Sequence, residues 1–451
     1  MNQFKNIKNF YFIGIGGIGM SALARYFNAQ GKHVAGYDKT PSVLTAKLQA
    51  EGIEVIYEDA VLEIPPHFRN NENTLVIYTP AVPKDHSQYN WFLSHNFKVK
   101  KRAEVLGIIT KGIYTMAVAG THGKTTTTAI LAHLLKETGV KVTAFLGGIS
   151  EDIQSNLIMQ GDDVMVVEAD EFDRSFLHLS PNLAAITSMD ADHLDIYGDA
   201  AELQNTFRSF AELVPKDGQL FIKNGLPLKG KTIGIEDNAD YSAQNIQVVN
   251  GSYHFDLHTP TNVITGLKCS LPGKHNLQNA ITALAMVLHH SSPTGDLARA
   301  LYSFKGVKRR FSYRIKNQGF TLIDDYAHHP AEIAAVHQAV REMHPDKKVL
   351  AVFQPHLFSR TRDFAQEFAD SLSKFDEILL LDIYPAREKP VEGISSEWLL
   401  QKIANPHKQL ISKAQLFGEV KKTDCEVVVM MGAGDIGEEV VKLEKALTDE
   451  K

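Results

Sequence analysis

Cysteine is almost absent from this chain. Its 451 residues include only two cysteines, Cys269 and Cys425, which lie far apart in the sequence. Two distant thiols are too few for a disulfide framework or for a thiolate metal site. We therefore expect the protein to work in a reducing compartment, the cytoplasm.

An excess of charge of one sign is also missing, as are long apolar runs. The 47 basic and 53 acidic residues are well mixed and give a net charge of −6, so no nucleic-acid partner is expected. No segment approaches the ~20 consecutive apolar residues that a membrane span needs. We expect no membrane partner either.

The start of the chain allows two interpretations. Lys5 and Lys8, followed by an apolar run, resemble a signal peptide. The same stretch also fits a strand, a glycine turn over 14–19 and a helix. Glycines at this spacing are typical of a phosphate-binding turn, so we favour the second interpretation.

Strands that alternate with helical patterns predict an α/β protein. At about 150 residues per domain, the length suffices for three domains. We predict a Rossmann-like N-terminal domain (1–106), a central P-loop ATPase domain with a mostly parallel sheet (107–308), and a Rossmann-like C-terminal domain (309–451). Short alternating strands are predicted over 235–272, with a helix after them. The other predicted strands are 9–15, 33–37, 53–56, 75–78, 113–119, 142–146, 164–168, 183–188, 219–222, 320–324, 349–353, 377–382 and 426–431.

One predicted strand runs into a glycine turn and a helix. The turn reads Gly120-Thr121-His122-Gly123-Lys124-Thr125-Thr126. The backbone N–H groups of such a turn and the N-terminus of the following helix face a phosphate. Lys124 would reach the β- and γ-phosphates, and the Thr125 hydroxyl would bind Mg²⁺. Because Val118 replaces the first glycine of the full signature, the match is to the shorter form GTxGKT. The alternative is a glycine turn with a coincidental Lys-Thr pair.

A second glycine loop lies near the start of the chain. It reads Gly14-Ile15-Gly16-Gly17-Ile18-Gly19-Met20, and Asp38 follows at the end of the next strand. This pattern is typical of a dinucleotide site, although such a loop binds any pyrophosphate, including that of a UDP-sugar with Asp38 near the ribose or base. Glycines that merely allow tight strand–helix packing are the other interpretation.

Carboxylates follow two strands of the central block. Glu168-Ala169-Asp170-Glu171 ends one strand, and Asp190-Ala191-Asp192-His193 follows another. Ligands bind at this edge of open α/β sheets, and carboxylate oxygens suit Mg²⁺. Each segment taken alone could also be a solvated loop.

Two further patterns lie near the end of the central block. Asn276 and Asn279 share a helix face and could contact a base edge, although Asn276 could instead be a helix cap. Lys308-Arg309-Arg310 lies at the junction with the third block. An arginine there could bind transferring phosphate, or the triplet could be a solvated surface.

The third block has two polar segments, each directly after a strand. One reads Asp324-Asp325-Tyr326-Ala327-His328-His329-Pro330, and the other contains Gln354-Pro355-His356 and Arg360. Arginine is the fork-shaped partner of a carboxylate, so these segments could bind a small carboxylate-bearing substrate. Ordinary surface is the alternative for each.

Taken together, these motifs resemble the ATP-dependent Mur ligases of peptidoglycan synthesis, in order and over nearly the whole chain. The resemblance implies that ATP phosphorylates the lactyl carboxylate of UDP-N-acetylmuramate and that the amine of L-alanine attacks the acyl phosphate. It implies a UDP-sugar domain, an ATPase domain and an amino-acid domain, in that order. It also implies roles for single residues. Lys124 and one arginine of Arg309-Arg310 contact phosphate, Thr125 and Glu168 bind one Mg²⁺, and His193 serves a second Mg²⁺ near the acyl phosphate. Asn276 and Asn279 lie by the adenine, and His328 and Arg360 contact the amino acid.

The chain departs from the family pattern at three places. No lysine lies between His193 and Lys216, so we expect none of the carbamylated lysine of later ligases, which favours the alanine-adding subgroup. Ala327 replaces a frequent glycine, and Leu357 stands where many relatives have a basic residue. The latter weakens any detailed account of substrate contacts in the third block.

Three alternatives stay open at this stage. A murein tripeptide ligase would join a recycled peptide to the same UDP-sugar. A nicotinamide dehydrogenase would use the first glycine loop but leaves the P-loop unexplained. A nucleotide-switch module would hydrolyse slowly without acceptors. The sequence also leaves open the oligomeric state and the choice among alanine, glycine and serine, which differ by a methyl or hydroxyl group.

Overall fold

The computed structural model describes residues 4–190, 197, 199–249, 251–290, 297–386 and 388–449. The chain divides into two compact units. The first comprises Met1–Asn245, Phe255–Lys268 and Gln278–Lys305, and the second comprises Ile246–His254, Cys269–Leu277 and Gly306–Lys451. The described residues contain three sheets, and each sheet belongs to one of three α/β domains.

The N-terminal domain is a five-stranded parallel sheet with the strand order β3-β2-β1-β4-β5. The apolar central strands are buried, as expected for a parallel sheet covered by helices. The elements are β1 Asn9–Ile13, α1 Ile18–Ala29, β2 His33–Tyr37, α2 Val43–Ala50, β3 Glu54–Ile56, β4 Thr74–Tyr78, α3 Ser87–Ser94, β5 Lys98–Lys101 and α4 Arg102–Thr110.

The central domain contains a ten-stranded sheet with the order β15-β14-β13-β12-β11-β10-β6-β9-β7-β8. The strands from β6 to β13 pair in parallel, except that β8 pairs antiparallel with β7. The short strands predicted over 235–272 are confirmed as β13, β14 and β15. The elements are β6 Thr115–Ala119, α5 Lys124–Glu137, β7 Val142–Phe145, β8 Leu157–Met159, β9 Val164–Glu168, β10 Leu183–Ile186, α6 Ala200–Ala211, β11 Gln219–Lys223, β12 Lys231–Ile235, β13 Tyr241–Val249, β14 Ser252–His258, β15 Val263–Cys269, α7 Lys274–His290 and α8 Leu297–Ser303.

The C-terminal domain contains a six-stranded sheet with the order β16-β17-β21-β18-β19-β20. Only the edge strand β16 is antiparallel to its neighbour among these described strands. An apolar cluster covers each face of the sheet. The elements are β16 Ser312–Lys316, β17 Thr321–Asp325, α9 Pro330–Met343, β18 Val349–Phe353, α10 Phe358–Asp363, α11 Ala365–Leu372, β19 Glu377–Leu380, α12 Ser396–Lys402, β20 Lys408–Leu410, α13 Leu416–Lys422, β21 Val427–Met431 and α14 Ile436–Asp449.

Four of the predicted strands are too long at the carboxyl end, namely 9–15, 142–146, 183–188 and 377–382. Two of them lead into the loops of the candidate site. β1 ends at Ile13 because Gly14 turns the backbone with φ +88°, and β10 ends at Ile186, two residues before the predicted end. At both places the additional residues belong to loops at the carboxyl edge of a parallel sheet. That edge is where ligands bind in open α/β sheets.

A buried asparagine joins the N-terminal and central domains within the first unit. Asn156 is fully buried, and its side-chain amide donates hydrogen bonds to the Ile18 carbonyl at 2.6 Å and to Ser21 Oγ at 3.0 Å. Its side-chain oxygen accepts a hydrogen bond from Arg25, whose guanidinium also pairs with Glu51. The central domain therefore contacts the first turn of α1.

We expect Asn156→Ala to destabilise the protein by about 1–3 kcal/mol, because it leaves buried polar groups without a partner. Differential scanning calorimetry would measure this as a lower unfolding temperature. Gln160→Ala is the matched control, since Gln160 is exposed and keeps its backbone hydrogen bond to Val142. Equal unfolding temperatures for the two variants would contradict the prediction.

Candidate active site

The glycine turn after β6 can be built only with glycine at two positions. Gly120 and Gly123 have φ angles of +130° and +82°, which L side chains rarely adopt. A Cβ on Gly120 would lie 2.2 Å from Thr187 Oγ1, and one on Gly123 would lie 2.4 Å from Asn279 Oδ1. The turn thus packs tightly against α7 and the residue directly after β10, and α5 begins directly after the turn.

The loop after β10 braces the turn. Ser188 Oγ accepts a hydrogen bond from the His122 N–H at 2.7 Å and lies 2.9 Å from the Thr121 hydroxyl. The Thr187 hydroxyl donates to the carbonyls of His122 and, at 3.1 Å, Ala119. Sequence reasoning missed this role because it placed both residues inside the strand. Two hydroxyls directly after an apolar run were the available signal.

Lys124 lies at the start of α5 with its ammonium group already oriented. Its Nζ donates to the Gly120 carbonyl at 2.6 Å and to Glu171 Oε1 at 2.8 Å. The Glu171 side chain is only 1% exposed, so this is a buried ion pair. Burial by itself would lower the pKa of Lys124, but the carboxylates of Glu171, Asp170 and Glu168 outweigh it and raise that pKa. The lysine therefore stays charged.

Thr125 and Glu168 meet directly, although they are 43 residues apart in sequence. The Thr125 hydroxyl donates to Glu168 Oε1 at 3.0 Å, and the Gly147 N–H donates to Glu168 Oε2 at 3.1 Å. This arrangement follows from the parallel pairing of β6 and β9, which aligns their carboxyl ends. A hydroxyl and a carboxylate at this distance could hold a hard divalent cation such as Mg²⁺.

The other residues predicted around the nucleotide are placed as follows. Asp190 follows β10, with its carboxylate 3.6 Å from His122 Nε2, while His193 lies outside the described residues. The Thr126 side chain is buried in α5. Asn279 lies against Gly123, whereas the Asn276 amide donates to the carbonyl of Pro272, two residues before the helix begins, at 2.7 Å.

The first glycine loop joins β1 to α1 in the N-terminal domain. Asp38 Oδ2 accepts a hydrogen bond from the Gly16 N–H at 2.7 Å, so this carboxylate holds the loop itself. Gly17 and Ile18 are exposed, whereas the Met20 side chain is buried in the apolar core. Met20 can therefore offer a ligand only its backbone.

Two glycines of the same loop pack closely against neighbouring side chains. Gly14 packs against Thr79 after β4, and Gly19 packs against Arg102.

The two arginines between the central block and β16 have different surroundings. Arg309 donates hydrogen bonds to the carbonyls of Gly432 and Gly434 and lies 3.4 Å from Asp324 Oδ1. The Arg310 guanidinium lies 5.0 Å from the centre of the Tyr326 ring, and no hydrogen bond of this group is found among the described residues. Arg309 thus anchors the fold, and Arg310 can contact a ligand.

Asp325 organises this segment. Its carboxylate accepts hydrogen bonds from the N–H groups of Phe311 and Ala327, both at 2.7 Å. Burial raises the pKa of Asp325 to about 6, and Arg310 opposes this shift. The carboxylate holds the loops on both sides of Tyr326, whose own N–H donates to the Arg309 carbonyl at 2.7 Å.

Histidines and an arginine come together after β17 and β18. The rings of His328 and His356 lie 5.9 Å apart, and His356 stacks on Tyr384 at 5.7 Å. Burial, followed by the charges of His328 and Arg360, lowers the pKa of His356 to about 3, so that ring is neutral at pH 7. Leu357 adopts φ +72°, an unusual conformation for a branched residue, directly before α10.

A glycine turn after β21 escaped the sequence analysis. Gly432 and Gly434 accept the Arg309 hydrogen bonds, and Gln354 donates to Asp435 Oδ1 at 2.8 Å in the same turn. The signal was a Gly-Ala-Gly triplet directly after an apolar strand. This turn lies between the polar segments of β17 and β18 because β21 pairs with both strands.

Comparison with known proteins covers nearly the whole chain. Residues 9–114 match the model described as "Mur ligase family, catalytic domain", residues 118–287 match "Mur ligase middle domain", and residues 309–436 match "Mur ligase, glutamate ligase domain". A UDP-N-acetylmuramate–L-alanine ligase of Christiangramia forsetii is 69% identical over 100% of both chains. The chain belongs to the Mur ligase family. A protein of the same name from Flavobacterium psychrophilum is 62% identical over 100% of both chains.

Solved Mur ligase structures agree in fold. The UDP-N-acetylmuramate–alanine ligase of Thermotoga maritima superposes with a TM-score of 0.84 at 27% identity, covering 98% of this chain and 100% of that one. A murein peptide ligase of Psychrobacter arcticus gives a TM-score of 0.71 at 22% identity, with 98% of each chain covered. The three-domain architecture of this Mur ligase is thus shared, while the exact domain bounds given above stay a prediction. No helix in the described part of this chain is long and apolar enough to cross a membrane.

Proposed function

We propose that the chain joins L-alanine to the lactyl carboxylate of UDP-N-acetylmuramate at the expense of ATP. ATP would phosphorylate the carboxylate, and the alanine amine would attack the acyl phosphate, which releases phosphate and leaves ADP. The observation that carries the proposal is the assembly of Lys124, Thr125 and Glu168 at one edge of the central sheet. The two relatives that are 69% and 62% identical over their full lengths bear the name of this reaction.

The chemistry brings two anions together, a triphosphate and a carboxylate. Lys124 would neutralise charge on the transferring phosphoryl group, and the N–H groups of the turn would hold the phosphates. Thr125 and Glu168 would hold one Mg²⁺, and His193 would serve a second Mg²⁺ near the acyl phosphate. Bound Mg²⁺ would add positive charge where the phosphoryl transfer builds up negative charge. Arg310 would contact the γ-phosphate, with Arg309 holding the loop that carries it.

The remaining sites follow the order of the domains. The glycine loop of the N-terminal domain would bind the diphosphate of the UDP-sugar. Asn279, with Asn276 in the same helix, would lie near the adenine. Tyr326, His328, His356 and Arg360 would bind the amino acid, whose carboxylate suits an arginine fork. Because two of the three substrates are nucleotides and both cysteines are free and buried, we place the reaction in the cytoplasm.

The test is phosphate release with ATP and Mg²⁺, with UDP-N-acetylmuramate and L-alanine added singly and together. We expect release only when both are present, with a product heavier by one alanyl residue in mass spectrometry. Chelation of Mg²⁺ should abolish release. Release with a tripeptide but not with alanine would identify a recycling ligase instead, and release that ignores both acceptors would overturn the proposal.

A further inference from the structure

Arg102 occupies an unexpected place beside the first glycine loop. It opens α4 directly after β5, and β1, β4 and β5 are parallel neighbours, so its backbone lies at the same sheet edge as the loop. A Cβ on Gly19 would lie 2.8 Å from Arg102 Nη1 and 3.3 Å from Cζ. The guanidinium therefore lies against the first turn of α1, at the position that a side chain on Gly19 would take.

This arrangement places two positive groups side by side. The N-terminus of a helix carries a partial positive charge and N–H groups without partners in the helix. The N-cap Gly17 makes no side-chain cap, and the first turn of α1 has no acidic residue. A cation at this end of a helix is unfavourable unless an anion lies between the two.

The carboxylates present near the loop do not fill this role. Asp38 is bonded to the Gly16 N–H, and Gly16 faces α2 through Thr45. Asp170 accepts one hydrogen bond from Arg102 Nη2 at 3.3 Å, and its side chain is 38% exposed. A long ion pair that is open to solvent contributes little. Because this ion pair uses one N–H group of the Arg102 guanidinium, the other N–H groups can donate to a ligand.

We propose that Arg102 is a substrate-binding residue that contacts the diphosphate of the nucleotide sugar, together with the Gly14–Gly19 loop. This inference rests on the proposed function for the identity of the sugar nucleotide. A diphosphate carries more charge than Asp170 and matches the guanidinium fork, so it competes for the side chain. Asp170 belongs to the central domain and lies two residues after Glu168. Arg102 therefore contacts both the glycine loop of the N-terminal domain and the central domain.

The adjacent residue provides a matched control. Lys101 pairs with Asp173 at 2.8 Å, so it makes the same kind of ion pair between the two domains, whereas the atoms nearest to a Cβ on Gly19 belong to Arg102. Loss of an ion pair between the domains can therefore be separated from loss of a diphosphate contact. Asp170→Asn removes the partner of Arg102 and leaves the arginine in place.

The experiment is isothermal titration of the full-length chain with UDP and, separately, with uridine. We expect Arg102→Ala to weaken UDP binding at least tenfold and to leave uridine binding unchanged, with Arg102→Lys in between. Lys101→Ala and Asp170→Asn should bind UDP as the wild type does, or more tightly for Asp170→Asn. In turnover, Arg102→Ala should raise the KM for the UDP-sugar and leave the KM for ATP unchanged.

Three results would overturn the proposal. The first is wild-type affinity for UDP in Arg102→Ala. The second is an equal loss in Asp170→Asn, which would show that the arginine acts only by holding Asp170. The third is a wild-type protein that does not bind UDP. The proposed ligation is measured independently by alanine-dependent phosphate release, so the failure of one proposal is distinguishable from the failure of the other.

Discussion

Lys124→Ala is expected to lower the turnover number by about a thousandfold or more. Preorganised charge at the transferring group is the largest catalytic contribution in reactions of this kind. The Lys124 ammonium is charged and is held beside the turn by the Gly120 and Thr121 carbonyls and by Glu171, so its charge is already in place for a phosphate that binds there. The rate of phosphate release with both acceptors is the measurement.

A loss of activity in this variant could also come from a damaged fold. Removal of the lysine leaves the Glu171 carboxylate buried without its partner, which costs about 3–5 kcal/mol. The double variant Lys124→Met with Glu171→Gln removes both charges, so we expect it to regain the unfolding temperature but not the activity. Lys136→Ala, in the last turn of the same helix, is the control with normal turnover. Turnover near the wild-type rate in Lys124→Ala would disprove the assignment of this site.

Arg310→Ala and Arg309→Ala should affect different properties of the protein, although the two residues are adjacent. We expect Arg310→Ala to reduce kcat by about a hundredfold or more with a small change in stability, since arginines at transferring phosphates contribute this much. Arg309→Ala should instead lower stability by about 2–4 kcal/mol. It leaves the Gly432 and Gly434 carbonyls and the buried Asp324 carboxylate without this partner.

The two readouts are kcat with saturating substrates and the unfolding temperature. Arg310→Lys keeps the charge but loses the planar fork, so an intermediate kcat is expected. A pair of variants in which Arg309→Ala loses kcat without loss of stability, and Arg310→Ala does the reverse, would contradict this division of roles.

Most strands of the buried sheet centres could be predicted. β2, β9 and β18 begin and end at the predicted residues, because the interior positions of a strand that is buried on both faces are apolar. The unpredicted strands include β5 and β8, which carry lysines or are only three residues long. Edge strands are short and charged as a rule, so their sequences carry little strand signal.

The partners inside the site were harder to predict than its motifs. Glu168 ends β9 and Glu171 follows it, and sequence reasoning could name the segment but assigned only Glu168 a role. The turn of the backbone after the strand decides that Glu168 faces Thr125 and Glu171 faces Lys124. In the same way, Asp38 was expected near the ribose or base of a ligand, but its carboxylate accepts a hydrogen bond from the Gly16 N–H of the glycine loop.

The sequence by itself determined the three-domain α/β class, both glycine loops and the family. Glycine spacing and apolar runs act over a few residues, and local backbone sterics translate such patterns into turns and strands without reference to the rest of the chain. Only the tertiary structure decided which arginine is anchored, which carboxylate holds Lys124, and that Arg102 lies against Gly19. These contacts join residues 15 to 125 positions apart, and they depend on strand order and on the exact path of each loop.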